Sequence, residues 1–228
     1  YLFLIATILI IVGLIPLFLT REPTKTRQHI RLAGLPIRKL KRDYISVGAF
    51  GVENTLSIFL WPTFIGLFIL IDNTVYAKIG LLTTIAIISS ILAAYAIGKI
   101  IDNKKGRALL RANAVANSGL QLARPFISTY PGAFLVSVAN DIVTSGYRMP
   151  YQKGWYDAAD DLPGYRIVYI ASMEWFSSLC KSSIWWFLVL LTGFFTDRTV
   201  LNVGFILAAI ASMLIMTEKF KALNVKKP

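Results

Sequence analysis

Long apolar stretches recur along this chain and alternate with short polar segments. Each longer stretch holds about 20 residues with few charges, which is enough for one helix to cross the ~30 Å hydrocarbon core of a bilayer. The pattern predicts an all-α, polytopic membrane protein with about seven transmembrane helices. The predicted spans cover residues 1–20, 44–71, 75–97, 108–124, 131–150, 166–192 and 199–217.

Two polar segments divide the apolar part of the chain. Residues 21–43 form a predicted loop with eight basic side chains, and residues 218–228 form a basic tail. Residues 44–217 between them hold six of the predicted helices, and residues 1–20 hold the seventh. The first stretch lacks the basic start and the small-residue cleavage site of a signal peptide, so we interpret it as a membrane helix.

The distribution of charge gives the predicted bundle an orientation. The chain has 24 Lys and Arg against 12 Asp and Glu, a formal net charge of +12. Of the basic residues, 19 fall in loops on one predicted side of the membrane and three in loops on the other. Lys and Arg resist translocation, so the richer side, with the C-terminal tail, is predicted to be cytoplasmic. This excess also faces anionic lipid, and nucleic-acid binding is not needed to explain it.

Composition excludes other classes of protein. With 56% hydrophobic residues and a mean hydropathy of +0.61, the chain is not a soluble globular domain. A single cysteine, Cys180, excludes a disulfide framework within the chain. The lone histidine, His29, lies in a basic loop and argues against a soft-metal site. We therefore expect no metal and no cofactor.

A short basic turn between two apolar stretches carries the most specific motif. It runs Gly-Lys-Ile-Ile-Asp-Asn-Lys-Lys-Gly-Arg from Gly98 to Arg107, and it includes Asp102 and Gly106. The turn resembles the Gly-x-x-x-Asp-(Arg/Lys)-x-Gly-Arg signature of major facilitator superfamily (MFS) transporters. It departs from that signature by one extra residue before Gly106 and by Asn103 where a basic residue is usual. In that family, the signature joins the second and third helices of each six-helix half.

The order of segments is also similar to that family. One helix, a long basic loop and six further helices correspond to the sixth helix, the central loop and the C-terminal half of a twelve-helix MFS transporter. The resemblance implies a missing N-terminal half before Tyr1 as the partner of this bundle. It implies a secondary active transporter of the cell membrane and not an enzyme. It also implies that Asp102 and Arg107 make charge contacts that latch the cytoplasmic side.

Charged side chains inside the predicted spans mark a candidate transport site, because each costs ~2.5–3.5 kcal/mol to insert and normally faces a cavity or a partner. Glu53 lies ~13 Å from the cytoplasmic end of its span, and Asp141 lies ~15 Å from the outer end of its own. By the resemblance, their helices line a central cavity and are related by an inverted repeat. We expect Glu53, Asp141 and a third acid, Glu174, to couple the movement of a small solute to protons.

Span 166–192 has the most polar helical face. Glu174 and Lys181 lie two turns, ~10.5 Å, apart on that face and are placed to flank one solute. Trp185 on the same face is placed to stack on it. Alternatively, Lys181 neutralises Asp141 or Glu174 across helices, since buried charges are usually paired.

The polar neighbours of the two mid-membrane acids allow two interpretations. Asn54 and Asn140 are expected to contribute to the substrate site beside Glu53 and Asp141. Alternatively, fixed partners neutralise both acids: Asn54 and Ser57 for Glu53, and Asn140, Ser145 and Arg148 for Asp141.

Two other functional classes stay open. Asp157, Asp160 and Asp161 are superficially similar to the magnesium-diphosphate motifs of membrane prenyltransferases, because Mg²⁺ is held by carboxylates together with substrate phosphates. Those enzymes use two such motifs on facing loops, and the chain has one. The same fold could also serve as a non-transporting receptor or scaffold.

The remaining small, polar and aromatic residues of the spans are assigned to packing. Small residues at four-residue spacing are typical of close contact between membrane helices; they are Ala86, Ser90, Ala94 and Gly98, and Gly204, Ala208 and Ser212. Asn117 and Gln121 are expected to hydrogen-bond to a neighbouring helix. The aromatic cluster is interpreted as an interfacial belt, comprising Tyr147, Tyr151, Trp155, Tyr156 and Tyr165.

Overall fold

Backbone groups that face lipid must be paired within their own segment, which favours helix wherever a chain is apolar. In the computed structural model of the protein, residues 2–19, 35–70, 75–101 and 106–223 are described, and every regular element within them is helical. The all-α class is therefore confirmed for these residues. The seven α-helices are α1 (Leu2–Leu19), α2 (Ile37–Phe64), α3 (Val75–Ile100), α4 (Gly106–Ala123), α5 (Tyr130–Asp160), α6 (Arg166–Thr192) and α7 (Asp197–Ile215).

Three helical segments are long and apolar enough to cross a membrane. They are Ile37–Ile69, Val75–Ile100 and Asp197–Ile215. The first joins α2 to a π-helical turn, Ile65–Ile69, that continues it. Large apolar side chains cover the outside of α3, and five of them are more than half exposed: Leu81, Ile87, Ile88, Ile91 and Leu92. These features support a membrane protein.

Helices α2 and α5 extend beyond their predicted spans. Helix α2 begins at Ile37, and α5 continues to Asp160 although its apolar run ends near residue 150. The extension of α5 presents one buried side chain every four residues: Tyr147, Tyr151, Trp155 and Ala159. Tertiary packing therefore holds this part of the helix. The assignment of Tyr147, Tyr151 and Trp155 to an interfacial belt is wrong.

The packing of α2 to α7 repeats after three helices. Helix α2 packs on α6 and α7, while α5 packs on α3 and α4. Exchanging α2 with α5, α3 with α6 and α4 with α7 converts one set of contacts into the other and preserves the α4–α7 contact. Equivalent helices are three elements apart, so they run in opposite directions across the bundle. The six helices thus form two inverted three-helix repeats.

Close backbone approach holds α2 against both of its main neighbours. A Cβ atom at Gly204 of α7 would lie 2.4 Å from Leu60 Cδ1, and one at Gly51 would lie 2.1 Å from Ser177 Oγ of α6. Further along α7, the Ser212 hydroxyl donates to the Ala114 carbonyl of α4 at 2.8 Å. The predicted packing role of the α7 small residues is confirmed.

The segment that follows α7 is docked onto the end of the bundle where α2 begins. The guanidinium of Arg107 donates to both carboxylate oxygens of the buried Glu218, at 3.1 and 2.9 Å. The Lys219 backbone N–H donates to Asp43 Oδ1 at 3.0 Å. Phe220 is 1% exposed and packs where Gly154 of α5 leaves room for its ring. The chain through Leu223 is therefore part of the folded bundle.

Candidate functional site

A carboxylate on α2, Glu53, lies completely buried at the centre of a polar network. Its Oε1 accepts hydrogen bonds from Ser57 Oγ at 2.7 Å, Asn117 Nδ2 at 2.8 Å and Gln121 Nε2 at 3.2 Å. Its Oε2 accepts one from the Tyr147 hydroxyl. These four bonds, three to Oε1 and one to Oε2, join α2 to α4 and α5. The expectation that Asn117 and Gln121 bond to a neighbouring helix is confirmed.

A chain of hydrogen bonds leads from Glu53 to the second acid, Asp141. Gln121 donates to Glu53 and accepts at its Oε1 from Arg124 Nη1. Arg124 Nη2 donates to Asn140 Oδ1 at 2.8 Å. Asn140 Nδ2 in turn donates to Asp141 Oδ1 at 3.2 Å. Two carboxylates from the equivalent helices α2 and α5 are thus linked through a guanidinium and two amides.

Arg124, at the centre of this chain, is fully buried. It begins the 3₁₀ turn that follows α4, and its guanidinium lies over the Trp61 ring at 5.0 Å and near the Phe205 ring at 5.7 Å. Within the described part of the chain, its hydrogen bonds go to the amide oxygens of Gln121 and Asn140. No carboxylate oxygen of those described residues lies within 4.0 Å of its guanidinium nitrogens. Its Nε–H has no hydrogen-bond partner.

A cavity of about 330 Å³ opens between α2, α3 and α5 beside this network. Helix α2 contributes Ser57 and Pro62 to the lining. Pro62 has no backbone N–H, so it donates no hydrogen bond within the helix. Helix α3 contributes apolar side chains together with Thr83 and Ser90. The charged residues of the lining are Arg124, Asp141 and Arg148.

The α5 wall of the cavity is a polar stripe with helical spacing. Ser137, Asp141, Thr144 and Arg148 follow one another at intervals of three or four residues, so they share a face. Arg148 donates from Nη2 to Asn54 Oδ1 of α2. Its Nε and the Thr144 hydroxyl are buried without a hydrogen-bond partner.

The structure brings some predicted site residues together and separates others. Asn54, Asn140 and Asp141 lie in or next to the cavity, and Glu53 reaches it through Ser57 and Gln121. The candidates on α6 lie outside the cavity: Lys181 and Trp185 lie against the face of α2 that carries Gly51 and Thr55, and Glu174 is exposed.

Each of the α6 candidates has its own environment. Glu174 is exposed. Lys181 is half-buried, and its Cε lies 2.8 Å from where a Cβ of Gly51 would be. Within the described residues, no acid lies within 4.0 Å of Lys181. Trp185 Nε1 donates to Thr55 Oγ1 at 3.2 Å, which orients this ring between α2 and α6.

The residues of the basic turn fall on both sides of a gap in the described chain. Gly98 lies near the end of α3, and Gly106 is the first residue of α4. Arg107 pairs with Glu218 as described above, and Asp102 lies outside the described residues. A latch between Asp102 and Arg107 therefore stays a prediction.

The acidic cluster at the end of α5 pairs with basic side chains. Asp160 lies 2.9 Å from Arg166 and Asp161 lies 3.8 Å from Lys221, and both acids are more than half exposed. Across the residues that the structure describes, no group of three or more His, Cys, Asp or Glu side chains is arranged to hold a metal ion. Asp157, on the last turn of α5, is part of the residues searched and forms no such group. The described geometry therefore gives no support for a magnesium-diphosphate site.

From the sequence, Arg148 is expected only as a fixed partner of Asp141, and the burial of Arg124 is not predicted; the structure instead bonds Arg148 to Asn54 and buries Arg124 fully. Two signals could have found them. Arg124 follows Asn117 and Gln121 at the spacing of one α4 face, and Arg148 continues the α5 stripe that starts at Ser137. Both arginines stood near the predicted end of an apolar run, where a basic residue is usually interfacial.

Comparison with known proteins adds no relative. No protein-family model matches the chain, and no match is found among curated proteins or solved structures. A functional assignment therefore depends on the residues and geometry described above.

Proposed function

We propose that this chain is part of a secondary active transporter of the MFS type, which moves a small solute by alternating access through the α2–α3–α5 cavity. The strongest support is the position of the buried charges. They lie beside a cavity at the place where the equivalent helices of two inverted repeats meet. Inverted repeats with a site at their interface are a common construction of secondary transporters. Charges retained inside a lipid-facing bundle are costly, and they are usually functional.

In this proposal all seven helices cross the cell membrane and the C-terminal tail is cytoplasmic. Helices α4 and α5 carry polar residues of the network on their inward faces, which lowers their apolar content. The excess of basic residues at the ends of the helices supports the orientation. A second bundle, the N-terminal half of the same protein, closes the cavity from the other side.

Proton coupling is assigned to the linked pair of acids. Asp141 lines the cavity, where a solute and protons can reach it, whereas Glu53 is enclosed by four donors. Glu53 therefore acts through Gln121, Arg124 and Asn140, as the fixed counter-charge at the far end of the chain. A coupling role for Glu174, which does not share the cavity, stays a prediction.

Alternating access can be tested without knowing the solute. Cys180 is the only cysteine of these 228 residues, so Cys180→Ser, together with replacement of any cysteine elsewhere in the natural protein, provides a starting protein in which single cysteines are added at Ser90 and Ser145, on two walls of the cavity. The natural protein that contains this chain is labelled with a membrane-impermeant thiol reagent in vesicles of each orientation. A transporter predicts labelling of both positions from both sides.

The matched control is Ser183→Cys on α6, an exposed position away from the cavity, which is expected to face lipid and to react from neither side. Labelling of Ser90→Cys and Ser145→Cys from one side only would contradict alternating access and favour a receptor or scaffold. Coupling is tested in the same assay, because a pH gradient should shift the labelling ratio between the two sides. If Glu53→Gln plus Asp141→Asn leaves that shift unchanged, the coupling role is wrong.

A further inference from the structure

The lining of the cavity between α2, α3 and α5 carries more positive than negative formal charge. Arg124 and Arg148 bring two formal positive charges to its lining, and Asp141 brings one negative charge. Both arginines bond to neutral amide oxygens, of Gln121, Asn140 and Asn54. Among the described residues, neither has an acid within 4.0 Å. A fully buried guanidinium is usually paired with a carboxylate, so Arg124 without a close acid is unusual; Arg148 is half-buried.

Unpartnered polar atoms occur on three residues of this lining. They are Arg124 Nε, Arg148 Nε and Thr144 Oγ1, each buried and without a hydrogen-bond partner. A buried donor without an acceptor costs about 1–3 kcal/mol, so native structures rarely keep one without a reason. An unpartnered guanidinium N–H on two cavity residues indicates that a ligand supplies the acceptors.

We infer that the solute of this cavity carries an oxyanion, either a carboxylate or a phosphate group, held between Arg124 and Arg148 with Thr144 as a third contact. Planar guanidinium groups match the paired oxygens of these anions better than any other side chain. Two arginines and one aspartate give the lining itself a formal charge of +1, with Glu53 as the buried counter-charge behind Gln121. A volume of about 330 Å³ limits it to a small metabolite.

This inference rests on the proposed function for the movement of the anion, whereas anion binding can be measured by itself. The natural protein is placed in nanodiscs of zwitterionic lipid, and its thermal unfolding is followed by tryptophan fluorescence at constant ionic strength. The probes are inorganic phosphate and small carboxylates from acetate to citrate. Their matched neutral controls are the corresponding amides, with chloride as the balancing anion. At least one oxyanion should raise the unfolding midpoint, and its amide should not.

Two substitutions locate the site. Arg148→Gln should weaken the binding of the oxyanion at least ~10-fold, since a charge-assisted pair is lost. Arg111→Gln makes the same change at an exposed position of α4 and should leave binding unchanged. If Arg148→Gln does not fold, Thr144→Val removes a single hydroxyl at nearly constant volume and should weaken binding severalfold.

The outcomes separate the two ideas. If no probe binds, if amides bind equally well, or if Arg148→Gln and Thr144→Val both keep full affinity, the oxyanion site is wrong. If stabilisation appears only when anionic lipid is added to the nanodiscs, the arginines bind a headgroup and the solute assignment is overturned. If no oxyanion binds but the added cysteines are labelled from both sides, the oxyanion site is refuted and the proposed transport is not. Oxyanion binding with one-sided labelling would keep the site and refute transport.

Discussion

The cavity between α2, α3 and α5 and the groove between α2 and α6 are lined by different parts of α2, and their chemistry differs. The groove, of about 790 Å³, is mostly apolar and aromatic, with Trp175 in its wall and Lys41 among its few charged residues. The cavity, of about 330 Å³, is lined by Arg124, Asp141 and Arg148. The two openings in the bundle therefore differ in the charge and polarity of their linings.

The source of the difference is one helix of the first repeat. Helix α4 presents Asn117 and Gln121, and Arg124 follows in the 3₁₀ turn. Their side chains bond to Glu53 of α2 and to Asn140 of α5. Its equivalent in the second repeat, α7, presents small residues such as Gly204 and Ala208. The repeat fixes which helices touch, whereas the polar face of α4 decides where a charged site can exist.

The largest loss of stability is expected at Glu53, the centre of the polar network. Glu53→Ala removes the acceptor of four hydrogen bonds and leaves their donors buried, so it should lower the free energy of unfolding by about 3–5 kcal/mol. Glu174→Ala on α6 is the control, because its side chain is exposed and the change should stay within about 0.5 kcal/mol. Denaturant titration in detergent, followed by tryptophan fluorescence, measures both. Similar losses in the two variants would remove the distinction between the polar network and the α6 side.

Removal of the charge contact at the end of the bundle where α2 begins should lower the free energy of unfolding by a smaller amount. Arg107→Gln leaves the carboxylate of Glu218, whose side chain is fully buried, without its bidentate partner. Because Arg107 itself is 20% exposed, the expected loss is about 2–3 kcal/mol, below the range of a fully buried pair. The double variant with Glu218→Gln should recover part of it. Additive losses in this double-mutant cycle would show that the two side chains do not interact.

Packing, and not hydrogen bonding, should dominate where α2 meets α6. Gly51→Ala places a methyl group 2.1 Å from Ser177 Oγ and should cost about 1–3 kcal/mol. Adding Ser177→Ala removes that oxygen and should restore part of the stability. Gly119→Ala on α4 is the matched control, since nothing lies within 4 Å of its new Cβ, and it should be neutral or stabilising by up to about 1 kcal/mol. Equal effects of the two glycine substitutions would contradict a tight α2–α6 contact.

The smallest change in stability is expected when the charged side chains of the groove are neutralised. Arg38→Gln combined with Lys41→Gln changes two exposed residues of its lining and should alter the free energy of unfolding by less than about 0.5 kcal/mol. The same denaturant titration applies. A loss above about 1 kcal/mol would mean that the charged side chains of the groove also stabilise the fold. The contrast with the cavity would then be weaker.

Much of the fold could be predicted from the sequence, because run length and apolar composition largely determine where a membrane helix lies. The bounds of α6, Arg166–Thr192, agree with its predicted span. The start of α2 and the end of α5 could not be found this way. Residues 151–160 are polar and aromatic, and they stay helical because Tyr151 and Trp155 are buried against other helices. That support comes from tertiary contacts, which no local pattern contains.

The candidate site was predictable only in part. Intramembrane acids identified Glu53 and Asp141, whose positions on equivalent helices the structure links through hydrogen bonds. The rotation of each helix about its axis was not predictable, and this rotation sends Glu53 toward α4 and Glu174 toward the surface. Arg124 was missed because its burial depends on Trp61 and Phe205, which are distant in sequence.

The docked segment after α7 has a practical consequence for anyone who wishes to express or visualise the protein. Phe220 and Leu223 both occupy the space left by Gly154, so a fluorescent reporter or affinity tag joined directly to α7 would displace them and free Glu218 from Arg107. Fusions should leave the segment through Leu223 intact, so that the anchoring residues stay in place.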